Sequence, residues 1–334
     1  MPPALRIATR RSALARAQAH QVGLAIATRA GRDFELVPLA TTGDLQPERA
    51  VGSFDVKGLF VDAVRDAVTS GDCDLAVHSY KDLPTEASPG LVIGAVPPRE
   101  DPRDVLVSRD GHVLSTLPPI ATVGTSSERR RLQLLRAKPA LQVLPLRGNI
   151  DTRLRKVADG EFDAVVLAFA GLRRLYVPRE QGGAGPLGLP LRAAPLEPGE
   201  CLPAPAQGAL AVECRPDDAA VLAACAAIDD PAARAAVAAE RAFLEAVGGG
   251  CLAPVGALAS GIGAGGADAA GLELAGMVAD PVRRRVMRLS ARGTVADPVE
   301  LGRRLADDIR AAGGDELIAA VAGLRGAQPP DAGE

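Results

Sequence analysis

Two stretches far apart in the chain share one pattern, and it restricts the fold more than any other feature. Gly71-Asp72-Cys73-Asp74-Leu75-Ala76-Val77 and Gly160-Glu161-Phe162-Asp163-Ala164-Val165-Val166 each read as a helix exit, a turn, an acid and a short apolar strand. Each half also opens alike. Residues 5–8 form a strand that runs through Thr9-Arg10-Arg11-Ser12 into an Ala-rich helix over 13–30, with Ser12 as N-cap and Gly31 as stop. Residues 121–123 form a strand that runs through Gly124-Thr125-Ser126-Ser127 into a helix over 128–137. Two similar α/β lobes facing each other across a cleft are expected.

Further strands are predicted at 34–39, 91–96 and 141–146, and KGLFVDAVRDAV forms a helix with Val64 on its apolar face. Residues 43–56 read as a long loop suited to a lid, and PPREDPRD (97–104) as a crossing between lobes. CLPAPAQGALAVECR (201–215) crosses back into a strand of the first lobe. A third unit begins near Asp229, with Asp230 as N-cap and Pro231 at the first position of a helix that Gly248-Gly249-Gly250 ends before Cys251. Strands at 255–259, 272–278 and 286–294 and helices near 298–311 and 315–324 complete it. The expected domains are 1–97 with a return segment at about 205–226, then 98–204, then 228–334.

Chemistry concentrates in DLAVHSYKDLP (74–84), where a buried strand meets water as His78, Ser79, Tyr80, Lys81 and Asp82. Ligands gather at the carboxyl ends of strands in open α/β sheets, so Asp82 is a candidate for catalysis; capping a turn is the competing role. Arg10, Arg11, Arg129, Arg130, Arg147, Arg153, Arg155, Arg173 and Arg174 fall mostly at strand ends or helix starts. Guanidinium forks bind carboxylates bidentately, so such a set suits a ligand with several carboxylates. Phosphate is the rival ligand, but no P-loop or GxGxxG accompanies the arginines. The Ser12 turn reads equally as an anion pocket or as an ordinary cap.

Net charge −3 gives no reason to expect nucleic acid or an anionic membrane as partner. Five cysteines without zinc or redox spacing, and three scattered histidines, speak against a metal. The N-terminus MPPALRIATRR has no apolar signal core and no apolar run is long enough to span a bilayer, so a cytoplasmic address is expected; a monomer is expected as well. Cys251 follows a helix C-terminus, the end that does not lower a thiol pKa, which fits an anchor better than a nucleophile in turnover.

IATRRSALA, KGLF, DLAVHSYKDLP, REDPRD, VGTSSERRR, LRGNIDTRL, AFAGLRRL, AQGALAVECR and GGGCLAPVG stand in this order between residues 7 and 256, within a likeness that runs over residues 5–325. Together they closely resemble the porphobilinogen deaminase (hydroxymethylbilane synthase) family. The resemblance implies two lobes like those of periplasmic binding proteins around a cleft, plus a smaller C-terminal α+β domain. It implies a dipyrromethane cofactor held by a thioether to Cys251, on which four porphobilinogen molecules are joined head to tail with loss of ammonia. By motif matching Asp82 is catalytic. Lys81, Thr125, Ser127, Arg129, Arg130, Arg147, Gly148 and Arg153 hold the cofactor, and Arg10, Ser12, Arg147, Arg153, Arg174 and Gln207 hold substrate. Lys57 belongs to the lid. Two departures stand out: Asp55-Val56-Lys57-Gly58 replaces the family's usual Gly-Gly-Lys-Gly, and Pro205-Ala206-Gln207-Gly208 replaces Val-Gly-Gln-Gly. A non-catalytic binding protein for a polycarboxylate is the rival reading, but it has no need of Cys251 in a glycine loop.

Overall fold

The acid in the repeated pattern is what locks each strand to its neighbour. In the computed structural model, which describes residues 3–39, 56–176, 186–250, 253–262 and 271–323, Arg6 N–H donates to Asp74 Oδ2 at 2.7 Å while Asp74 N–H returns a bond to the Arg6 carbonyl at 2.9 Å. Thr122 N–H donates to Asp163 Oδ2 at 2.7 Å, and Asp163 N–H returns to the Thr122 carbonyl at 3.0 Å. The glycine of each turn takes positive φ, +85° at Gly71 and +83° at Gly160, which is why the pattern starts with that residue.

In chain order the strands are β1 Leu5–Arg10, β2 Phe34–Leu39, β3 Leu75–Ser79, β4 Val92–Ala95, β5 Asp104–Ser108, β6 Thr122–Gly124, β7 Gln142–Leu144, β8 Ala164–Ala168, β9 Arg192–Pro195, β10 Leu210–Cys214, β11 Val255–Ile262, β12 Gly271–Asp280 and β13 Arg285–Thr294. The helices are α1 Ala13–Ala30, α2 Val56–Thr69, α3 Glu128–Ala137, α4 Ile150–Ala158, α5 Phe169–Leu175, α6 Ala219–Ala226, α7 Pro231–Ala246, α8 Pro298–Ile309 and α9 Asp315–Gly323. Ser12 caps α1, its hydroxyl accepting from Ala15 N–H at 3.2 Å, and Gly31 closes the helix in the left-handed region.

The strands form two five-stranded sheets, β2-β1-β3-β10-β4 and β7-β6-β8-β5-β9, and one antiparallel sheet, β11-β12-β13. In each mixed sheet three parallel strands are followed by one antiparallel strand drawn from elsewhere in the chain: β10 in the first, β5 in the second. The α/β class expected for the lobes and the α+β class expected for the C-terminal region are thus both present. The chain divides into two compact units, one of Met1–Arg99, Ala209–Ala235 and Ala322–Glu334, the other of Glu100–Gly208 and Ala236–Val321.

In the first unit Leu5, Ile7, Val22, Ile26, Leu75, Val77 and Val212 pack α1 and α6 onto one face of the sheet. In the second, Val105, Val107, Leu154, Val165 and Leu172 pack one face of the sheet and Leu106, Val123, Leu134 and Val166 the other. The antiparallel sheet buries Leu272, Leu274 and Val278 against Phe243, Leu301, Leu305 and Ile309. Most of the loop expected at 43–56 lies outside the described residues.

Beneath α2 the first sheet buries an ionic cluster. Glu213 on β10 accepts from Arg65 Nε at 2.8 Å and Nη2 at 2.7 Å, and His78 Nε2 lies 3.2 Å from Glu213 Oε2, near enough for an ion pair. Burial pushes the Glu213 carboxyl up; His78 and Arg65 outweigh it and hold the group at about 2. A carboxyl depressed in the fold stabilises it above the unfolded pKa, and that stability is lost as pH falls toward the folded value. Against an unfolded value near 4.5, linkage assigns Glu213 about 3 kcal/mol, lost between roughly pH 4.5 and 2. Urea unfolding followed from pH 6 to 3 should therefore fall more steeply for wild type than for Glu213→Gln; equal slopes would show that the cluster adds no stability.

Candidate active site

Within the first unit, parallel β1 and β3 end at the same edge, since Ile7 aligns with Leu75 and Ala8 with Ala76. That edge carries Arg10 and Ser12 beyond β1, and Lys81 and Asp82 beyond β3. Gln18 Nε2 on α1 donates to Ser79 Oγ at 2.8 Å and ties the two strand ends together. Tyr80–Asp82 is a single 3₁₀ turn. Tyr80 N–H bonds the Ala209 carbonyl at 3.0 Å, Leu83 is buried against Val61 and Ala211, and the Asp82 carboxylate is left exposed. Asp82 caps no α-helix, so the competing structural role weighed from the sequence is confined to this one turn. Lys57 falls in the first turn of α2, and its side chain lies outside the described residues.

The second unit repeats the arrangement. Strands β7, β6 and β8 run parallel, with Val123 aligned to both Val143 and Ala164, so their carboxyl ends share an edge. Beyond β6 come Thr125, Ser127, Arg129 and Arg130; beyond β7 come Arg147, Gly148 and Arg153; beyond β8 comes Arg174. Ser126, which the sequence reading passed over, stitches two of these ends together: its Oγ donates to the Leu146 carbonyl at 2.9 Å and accepts from Leu146 N–H at 3.1 Å. Ser127 precedes α3 without a side-chain capping bond, its own N–H donating to Thr125 Oγ1 at 3.2 Å. Gly148 takes φ +107°, and its carbonyl accepts from Arg153 Nε at 2.8 Å. Arg147 is exposed.

Arg129 and Arg130 occupy the first turn of α3, where the helix dipole disfavours cations. Asp104, fully buried at the start of β5, offsets this. Its Oδ2 accepts from Arg129 Nη1 at 2.6 Å and from Cys201 Sγ at 3.3 Å. Its Oδ1 accepts from Arg130 Nε and Nη2 at 3.0 and 2.7 Å and from Gln207 Nε2 at 2.9 Å. Burial alone would push the Asp104 carboxyl up; the charges of Arg129 and Arg130 outweigh it and hold the group ionised far below the usual carboxylate range. Burial raises the Cys201 thiol to about 12, with Asp104 adding to the effect, so it stays protonated and serves as a weak donor. Asp104 is the site residue that sequence reasoning missed.

Gln207 therefore spends its amide on Asp104 and on the Pro102 carbonyl at 2.8 Å. The same crossing holds one departure from the family pattern. Gly208, at φ +87°, has no room for a Cβ, which would lie 2.4 Å from the Glu100 carbonyl oxygen. Ala206 also sits in the left-handed region, at φ 61°, where a non-glycine residue costs roughly 1 kcal/mol. Its N–H is held by Glu240 Oε2 at 2.6 Å.

One net positive charge remains around Asp104, and two further guanidiniums lie at the same edge. The Arg153 pKa is lowered by burial and then by the charge of Arg130. Burial lowers Arg174 to about 10, with Glu100 partly opposing, and Arg174 Nη2 donates to the Gly208 carbonyl at 2.8 Å. Cations drawn out of water beside other cations are stabilised by an arriving carboxylate, so this edge fits a polyanionic group. Among the described residues no cluster of His, Cys, Asp and Glu could hold a metal, and no helix is long and apolar enough to cross a membrane. Cys251 lies outside the described residues; the helix before it ends through Gly248 at φ +67°.

Residues 5–223 match the family model "porphobilinogen deaminase, dipyromethane cofactor binding domain", and residues 234–311 match that family's C-terminal domain. The chain belongs to the porphobilinogen deaminase family. It is 49% identical to the porphobilinogen deaminase of Nocardia farcinica over 95% of this chain and 89% of that one. It is 46% identical to that of Acidothermus cellulolyticus over 95% and 91% of the two chains. Among solved structures it is similar to the VFT2 domain of Bordetella pertussis BvgS, at 17% identity over 68% of this chain and 87% of that chain, with a TM-score of 0.38. As a porphobilinogen deaminase it is a transferase of tetrapyrrole biosynthesis, a hydroxymethylbilane synthase, and the domain matched over 5–223 is the one that binds dipyrromethane.

Proposed function

We propose that the two strand-end edges divide the work of the deaminase between them, the first carrying the reacting acid and the second holding carboxylates. The observation behind this is the positive charge of buried Arg129 and Arg130 around Asp104 and of half-buried Arg153 and Arg174, set against the exposed acid at Asp82. Lys81, Thr125, Ser127, Arg130, Arg147, Gly148 and Arg153 receive acetate and propionate groups of the cofactor. Arg10, Ser12, Arg147, Arg153 and Arg174 receive those of the substrate. Arg129 and Gln207 act chiefly through Asp104, which orients them and Arg130. Asp82 offsets the positive charge that develops when ammonia leaves porphobilinogen and relays protons at the reacting amine and pyrrole. Dipyrromethane, anchored through Cys251, supplies the primer to which substrate units are added. Lys57 closes over the substrate from the start of α2. The protein works as a cytoplasmic monomer of three domains, 1–97 with about 205–226, 98–204 and 228–334.

The anchor is tested by intact mass after incubation with porphobilinogen. Wild type should carry the added mass of two linked pyrrole units and colour with Ehrlich's reagent, and Cys251→Ala should fold yet show the bare polypeptide mass. A Cys251→Ala protein that carries the same added mass would place the anchor elsewhere.

A further inference from the structure

Two of the arginines at the second edge are carried by separate helices, and one side-chain bond joins those helices close to both. We infer that Tyr176 and Asp151 form a latch that positions Arg153 and Arg174 for the carboxylates of porphobilinogen. Tyr176 follows the last residue of α5, two positions after Arg174, and its N–H bonds the Leu172 carbonyl at 2.8 Å. Asp151 stands in the first turn of α4, two positions before Arg153. The Tyr176 hydroxyl donates to Asp151 Oδ1.

The surroundings make this bond a fixed one. Asn149 caps α4, its Oδ1 accepting from Thr152 N–H at 2.9 Å and Thr152 Oγ1 at 3.0 Å, so the turn carrying Asp151 is held from its other side. The Tyr176 ring and Ile150 pack on the cluster of Leu146, Leu154, Phe169 and Leu172. Burial and then the bond to Asp151 push the phenol well above its ordinary pKa, so the donor keeps its proton through the neutral range. The reach of both arginines is also limited near the backbone, Arg153 by the Gly148 carbonyl and Arg174 by the Gly208 carbonyl. Displacement of either helix would therefore carry its guanidinium with it. Neither Tyr176 nor Asp151 needs to touch the ligand; both are positioning residues.

This inference rests on the proposed assignment of Arg153 and Arg174 to substrate carboxylates. Its test is steady-state kinetics of holoenzyme with porphobilinogen for wild type, Tyr176→Phe, Asp151→Ala and Asp151→Asn. Loss of one hydrogen bond to a charged acceptor should raise KM about tenfold in Tyr176→Phe and in Asp151→Ala, with kcat within about twofold of wild type. Asp151→Asn keeps an oxygen acceptor and should restore most of the affinity, and the double variant Tyr176→Phe, Asp151→Ala should be no worse than either alone. A lowered melting temperature with unchanged KM would reduce the bond to local packing and overturn the inference. An active wild type with normal KM in Tyr176→Phe sinks the latch alone. A wild type that never consumes porphobilinogen sinks the functional reading and the latch with it.

Discussion

Asp82→Asn is expected to leave a folded protein whose turnover of porphobilinogen is about 10²- to 10⁴-fold slower than wild type. The carboxylate stands exposed on a single 3₁₀ turn whose geometry is set by backbone bonds and by buried Leu83, so its replacement by an isosteric amide should leave the melting temperature unchanged. The amide keeps the shape but cannot offset a developing positive charge or accept and return a proton. Intact mass should be measured on the same sample, so that loss of chemistry is separated from loss of cofactor. Near wild-type turnover by Asp82→Asn would remove this residue from the mechanism.

Asp104→Asn should act through a different route. Asp104 is the sole carboxylate among the described residues that pairs with Arg129 and Arg130, all three buried. Its neutralisation leaves two adjacent guanidiniums facing each other out of water, the case in which breaking a buried pair costs about 3–5 kcal/mol. In calorimetry this should appear as a melting temperature lower by roughly 10 °C. Cofactor loading should fall as well, because Arg130 loses its orienting partner. A variant that melts and loads like wild type would show that Asp104 neither holds the arginines nor stabilises the fold.

The parts of this structure that were legible in the sequence are those whose causes are local. The α1 helix runs between a serine cap and a left-handed glycine only residues away from the pattern they punctuate, and the repeated acids at Asp74 and Asp163 mark the strands that they lock. The arginines beyond β6, β7 and β8 were legible as strand-end residues for the same reason. Strand β5 was not. Its first residue follows PPREDPR, a run that reads as a crossing, and its place in the sheet is fixed by β8 and β9 far along the chain. The role of Asp104 depends on partners twenty-five residues and more away, so no window on the sequence shows it. Helix α5 was hidden for another reason: residues 164–172 are continuously apolar, and periodicity cannot mark the switch from strand to helix at Ala168 and Phe169.

Strand β10 has a consequence for how the polypeptide is made. It lies between β3 and β4, bonded to both, and so supplies a middle row of the first sheet. Until Leu210–Cys214 leaves the ribosome, β3 is paired on its β1 side only and β4 has no partner strand, although both were synthesised long before. The intervening residues 96–209 take on the order of ten seconds to translate at ordinary rates. The second mixed sheet, drawn entirely from residues 104–195, can complete itself during that interval. The nascent chain should therefore gain protease resistance first in its middle and only afterwards at its N-terminus, and a polypeptide ending near residue 205 should aggregate through the β3 edge rather than persist as a half-enzyme.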